Sequence, residues 1–132
     1  TGGLLSKTCT DLAGSSEWFD RGWVTYSNSA KTQMLGVNEH LIEVNGAVSE
    51  PVAIAMLEGA REYSGVEVAV SITGIAGPGG GTEEKPVGTV CFAFAAPGAG
   101  VTVIRKHFNG DREKIRMQAV IYALEQLLEK LK

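Results

Sequence analysis

The chain has 132 residues, 44% hydrophobic and 20% charged, with a formal charge of −3 at pH 7. That length suits one domain with one core, and the composition excludes both a disordered chain and a membrane-spanning one, because the longest apolar runs, at 88–96 and 101–104, are only strand-length. Acidic and basic residues are interspersed with no basic stripe, which argues against nucleic acid as a partner, and two distant cysteines, Cys9 and Cys91, make neither a disulfide framework nor a zinc site and fit a reducing cytoplasm.

The chain opens on Thr1-Gly2-Gly3 without an initiator methionine and runs into a short amphipathic helix expected from Leu4 to near Thr10. Turn composition at 11–16 precedes a single helical turn at 17–20, stopped by Gly22. Residues 23–26, Trp-Val-Thr-Tyr, have the composition of a strand. Ser27 or Asn28 caps a helix through Leu35 closed by Gly36, and a second short helix over 39–44 is closed by Gly46. Ser49-Glu50-Pro51 starts a longer helix, running to near Tyr63 and burying Val52, Ala55, Met56 and Ala60.

Beyond Gly65 the period becomes that of strands, at 66–73, 88–95 and 101–108, the last two joined by a hairpin-type loop and therefore antiparallel neighbours. Asp111 caps the last helix, in which Met117, Val120, Ile121, Leu124, Leu127, Leu128 and Leu131 recur at three and four residues, the pattern of a core stripe. Helices before and after strands predict a single layered α/β domain with a mixed sheet.

Two features point to chemistry. Glycine is frequent, 17 residues, and five fall within 74–81, inside a loop that follows a strand and continues to Val87. Successive glycines let backbone N–H groups approach an anion without Cβ obstruction. Neither the Walker spacing nor the dinucleotide-binding Gly-x-Gly-x-x-Gly is present, and the plain alternative is a mobile surface loop.

The second feature is a set of hydroxyls and one amine. Ser15-Ser16 follows Gly14 in a turn, Tyr26 ends the expected strand, and Lys31 lies about one turn inside the helix capped at 27 or 28. A lysine near a helix N-terminus faces the positive end of the macrodipole, which disfavours the ammonium and suits a general base. Neutral lysine can take a proton from a serine, with tyrosine relaying it. The alternative is that either serine merely caps the following turn and Lys31 is solvated. Among the remaining polar residues, His40 and His107 are isolated, so no metal site is expected. Arg105, Arg112 and Arg116 are candidates for a phosphate fork, with Arg112 best placed after Gly110-Asp111.

Several ungapped blocks together resemble the CinA C-terminal domain family, which includes nicotinamide mononucleotide deamidases. They are Asp-Leu-Ala-Gly-Ser-Ser-Glu-Trp-Phe at 11–19, Gly-Trp-Val-Thr-Tyr-Ser-Asn-Ser-Ala-Lys at 22–31, Gly-Ala-Val-Ser-Glu-Pro at 46–51, Ser-Ile-Thr-Gly-Ile-Ala-Gly-Pro at 71–78 and Glu-Lys-Pro-Val-Gly-Thr-Val at 84–90. The resemblance covers essentially the whole chain in order. It implies a three-layer α/β/α sandwich and hydrolysis of the carboxamide of nicotinamide mononucleotide with loss of ammonia. Position by position, Ser16 matches the family's nucleophile, Tyr26 its catalytic tyrosine and Lys31 its general base. Thr73, Gly74, Gly77, Pro78 and Gly79 match the segment lining the nucleotide site, Arg112 sits in the family's Gly-Asp-Arg block, and Thr1, Gly2, Gly3 and Asn28 are carried over as substrate-binding.

The resemblance implies an acyl-enzyme mechanism with no metal or redox cofactor, a small-molecule nucleotide as partner, and neither membrane nor nucleic acid. It also implies that residues 1–132 form an amidase domain lacking an N-terminal strand and helix, since family members carry a Glu-Ser-Cys, whose serine belongs to the active-site region, directly ahead of Thr1-Gly2-Gly3. A homodimer and fusion behind a nucleotide-processing domain both remain open. Two other functions also fit the sequence: an amidase for another pyridine nucleotide or a related carboxamide, and a non-catalytic nucleotide-sensing or protein-interaction domain associated with competence.

Overall fold

The structure, a computed structural model, describes all 132 residues. The elements run α1 (Leu4–Thr10), a 3-10 turn (Ser15–Glu17), α2 (Asn28–Leu35), α3 (Glu39–Asn45), α4 (Glu50–Ser64), β1 (Ala69–Gly74), β2 (Thr89–Ala96), β3 (Gly100–His107) and α5 (Arg112–Lys130). Local chemistry sets most helix ends. Ser27, not Asn28, caps α2, its Oγ accepting from the Ala30 amide at 3.0 Å, and Gly36 closes it at φ 70°. Ser49 caps α4 with Pro51 in its first turn, and the Asp111 carboxylate accepts from the Lys114 amide at 2.9 Å to start α5.

The sheet has the order β1-β2-β3 and every pairing is antiparallel, with Ile72 opposite Phe92 and Phe92 opposite Ile104. The mixed sheet expected from the sequence is not formed. No helix intervenes between the strands, and without a crossover connection nothing imposes a parallel pair. All eight residues of β2 are buried, and side chains alternate across its two faces. Cys91, Ala93 and Ala95 pack with Ala53 and Leu57 of α4. Val90, Phe92 and Phe94 pack with Ile115, Ala119 and Ala123 of α5. Helices therefore cover both faces, giving three layers. A further cluster joins Leu35 and Val37 to Ile42, Val52, Met56 and Ala60, fixing α2 and α3 on α4.

Three local expectations are corrected. Residues 23–26 form no strand, because the carbonyls of Thr25 and Tyr26 are taken by the Lys31 ammonium and no sheet partner reaches them. The helical turn expected at 17–20 lies earlier, as the 3-10 turn at Ser15–Glu17. On α5 the expected stripe is core only in part: Val120 is buried and Leu127 packs on the sheet cluster, but Met117, Ile121, Leu128 and Leu131 are exposed, and Ile115, Ala119 and Ala123 are buried instead. Across from the buried face lie Phe92, Phe94 and Phe108, on which α5 sets Tyr122, with its ring centroid 4.9 Å from that of Phe92, and otherwise Ile115 and the small Ala119 and Ala123, so the bulk of this aromatic layer selects this face of the helix.

Candidate functional site

Beside the aromatic layer, α5 leaves part of β1 uncovered. Val70 and Ile72 of β1, α1, the 20–26 segment and α5 border a cleft of about 1400 Å³. It is largely apolar, with Trp18, Phe19, Trp23 and Tyr26 in its walls, and Lys31, Arg112 and Arg116 lie at one end.

Lys31 is the most constrained of these cations. It is only 6% exposed, and its Nζ donates to the carbonyl oxygens of Thr25 at 2.9 Å and Tyr26 at 3.3 Å. No carboxylate pairs with it. Burial holds its pKa below the usual lysine value, so the cause is desolvation rather than the helix dipole inferred from sequence. As a neutral amine it can keep both N–H bonds on those carbonyls and present its lone pair. That is the arrangement of a buried base.

Tyr26 is 75% exposed, and its hydroxyl oxygen accepts from Arg112 Nη2 at 3.2 Å. Arg112 Nη1 donates to the Gly77 carbonyl at 2.7 Å, so one guanidinium spans the tyrosine and the glycine loop. Arg116, one turn later on the same helix face, clamps the Thr1 carbonyl through Nε at 3.2 Å and Nη2 at 2.8 Å. Lys31, Arg112 and Arg116 thus converge on the same end of the cleft. None of Lys31, Arg112 and Arg116 forms an ion pair, whereas Asp20, a carboxylate in the cleft wall, pairs with Arg21. The site is an unneutralised positive end of an apolar cleft.

Thr1, Gly2, Gly3, Asn28, Tyr26, Lys31, Thr73, Gly74 and Arg112 all line this cleft. Thr73 is buried with its hydroxyl donated to the Ala47 carbonyl at 2.9 Å, an anchor for the end of β1. Gly74 is required there, since a Cβ would stand 2.8 Å from Val90 Cγ2. Gly77, Pro78 and Gly79 lie beyond the lining, and Gly77 reaches the site through Arg112. Gly77 has φ +81° and a Cβ on it would meet Val87 Cγ1 at 2.5 Å, whereas Gly79 faces open space. The amides of Ala76, Gly77, Gly79, Gly80 and Gly81 have no hydrogen-bond partner, as a nest for an anion requires.

Ser16 is not brought to Lys31. It is exposed on the 3-10 turn, outside the cleft lining, and neither it nor Ser15 hydrogen-bonds through its hydroxyl to Tyr26 or Lys31. Arg105 also points elsewhere, donating to the Glu84 carbonyl. Sequence reasoning ranked Arg116 below Arg112, yet their four-residue spacing on one helix was the available signal that both face one place. The aromatic walls at 18, 19 and 23 were missed because exposed aromatics in a turn look like core residues until the cleft exists.

The CinA C-terminal domain model matches residues 1–131. The nicotinamide-nucleotide amidohydrolase PncC of Escherichia coli (strain K12) is 59% identical over 128 residues, covering 96% of this chain and 77% of that protein. A CinA-like protein of Syntrophobacter fumaroxidans is 58% identical over 125 residues, covering 94% of this chain and 29% of the relative. Among solved structures, the competence/damage inducible protein CihA from Agrobacterium tumefaciens superposes with a TM-score of 0.94 at 44% identity, covering 99% of this chain and 80% of that one.

Proposed function

Because the chain belongs to the CinA C-terminal domain family, we propose that it is an amidohydrolase that deamidates nicotinamide mononucleotide to the nicotinate form with release of ammonia, in pyridine nucleotide recycling. The observation that carries this is Lys31: a buried amine with a lowered pKa, held by two carbonyls and unpaired with any carboxylate, at the cationic end of a cleft walled by aromatics. Such walls suit a flat pyridine ring, and the unpaired Arg112 and Arg116 suit the phosphate.

In this mechanism Lys31 takes the Ser16 hydroxyl proton, through Tyr26, and Ser16 Oγ attacks the carboxamide carbon. Backbone N–H groups hold the oxyanion. Collapse of the tetrahedral intermediate breaks the C–N bond, the lysine ammonium protonates the departing ammonia, and water then hydrolyses the acyl-enzyme. Arg112 and the free amides of the glycine loop hold the ribose phosphate. Since Ser16 stands outside the cleft, its exposed turn must close over the bound substrate, as catalytic contacts that tighten only in the Michaelis complex do.

That same placement of Ser16 favours a second function, non-catalytic nucleotide binding. The deciding experiment is ammonia release from nicotinamide mononucleotide by the purified protein. Turnover supports the amidase; tight binding without ammonia supports the sensing domain.

A further inference from the structure

The glycine loop is fastened at one end and slack at the other. Over 82–88 it is held at many points. Thr82 and Lys85 bond each other through the Thr82 amide and the Lys85 carbonyl at 2.9 Å, and through the Lys85 amide and Thr82 Oγ1 at 3.0 Å. Arg105 Nη2 donates to the Glu84 carbonyl at 2.6 Å, His107 Nε2 meets the Val87 carbonyl at 2.9 Å, and the Gly88 amide donates to Ile75 at 2.8 Å. Over 76–81 the one tie is Arg112 to the Gly77 carbonyl. The half that carries the free amides is the slack half.

One tie of the fastened half crosses to another layer. Lys85 Nζ donates to the carbonyl of Asn45 at 2.7 Å. Asn45 is the last residue of α3, where the unsatisfied carbonyls attract a cation. Gly46 leaves room for it, since a Cβ there would stand 3.2 Å from Nζ. Two residues on, the carbonyl of Ala47 accepts from Thr73. The 45–47 turn thus anchors both the end of β1, from which the loop departs, and Lys85, at which it returns. Lys85 itself does not line the cleft.

We propose that Lys85 is a positioning residue for nucleotide binding: by tying the returning limb of the glycine loop to the turn that also holds Thr73, it fixes where the free amides of 76–81 stand relative to Arg112. This rests on the loop holding the substrate's phosphate, as proposed above. A lysine that merely braces the surface would affect thermal stability and leave substrate affinity alone.

The test compares wild type with Lys85→Met, which keeps the stem and loses the donor, and Lys85→Arg, which keeps a cationic donor. For each, kcat and KM for ammonia release from nicotinamide mononucleotide are measured together with the melting temperature. The expected result is a KM raised about tenfold in the methionine variant with kcat within about twofold, and substantial recovery in the arginine variant. An unchanged KM overturns the proposal, and so does a joint loss of kcat, KM and melting temperature that arginine fails to rescue. If wild type releases no ammonia, the amidase assignment fails independently, and calorimetric binding of the nucleotide takes the place of KM: weaker binding to the methionine variant supports Lys85, equal binding overturns it. A wild type that neither hydrolyses nor binds the nucleotide overturns both.

Discussion

The two faces of the sheet are built differently. Against α4 the residues are small and the polar ones are consumed: Ala93 and Ala95 meet Ala53 and Leu57, Ser71 Oγ donates to the Ala53 carbonyl at 2.6 Å, and Thr73 donates to Ala47. Toward α2 the same helix is equally tight, with Gly59 pressed against the Leu35 carbonyl and no room for a Cβ. Against α5 the residues are large and aromatic, and the helix that packs on them covers β1 only in part, leaving Val70 and Ile72 half-buried at the edge of a cleft. One face is closed because each polar group has a protein partner. The other opens where bulk keeps the second helix away, and there the cations lack counterions. The first face is packed shut, while the second carries both the largest buried side chains, Phe92 and Phe94, and the cleft.

Changes on the two faces should therefore separate activity from stability. The largest effect is expected from Ser16→Ala, which on the proposed mechanism lowers kcat by at least about a thousandfold while the melting temperature stays within a few degrees. If Ser16→Ala keeps its turnover, or if Ser15→Ala is the inactive variant, the nucleophile is another group. Lys31→Met comes next, with a loss of about 10² to 10⁴ in rate. Because burial lowers the Lys31 pKa from lysine's ordinary 10.5, the amine loses its proton earlier than a free lysine, and wild-type kcat should climb with pH as it does so. The methionine variant should lack that climb, and a flat wild-type profile with chemistry rate-limiting removes lysine as the base.

On the closed face, Leu57→Ala should cost about 2 to 5 kcal/mol in chemical denaturation, from lost burial and the cavity left behind, with normal KM for the molecules that remain folded. A raised KM there would mean the two faces are not independent. The smallest change is Gly79→Val, several-fold in KM with little change in melting temperature, since that position faces open space. Gly77→Val must instead raise KM and lower the melting temperature together, because φ +81° and the contact with Val87 strain the fold itself.

What the sequence disclosed follows the range of the forces. Caps at Ser49 and Asp111, and stops at Gly36 and Gly46, are decided within a few residues and could be read directly, and at α2 the choice narrowed to Ser27 or Asn28. The glycine loop and Lys31 were legible for the same reason. The all-antiparallel sheet was not, because strand direction depends on partners distant in sequence. Leu128 and Leu131 have helical spacing as good as that of Ala119 and Ala123, but only the aromatic layer opposite decides which face of α5 approaches. Residues 23–26 have strand composition, and what overrules it is a lysine side chain taking their carbonyls. The placement of Ser16 relative to Lys31 belongs to the same class: a turn and a helix meet only through tertiary structure.

The central strand has one more consequence. β2 has a ladder partner on each edge and a helix over each face, so no local opening can bring water to its amides. Their exchange for deuterium must wait for the whole domain to come apart, and its rate is a clock for global unfolding. The outer edge of β1, which no strand covers, runs on faster time. A nucleotide seated in the cleft would slow both, the edge by shielding it and the centre only by as much as binding stabilises the entire fold.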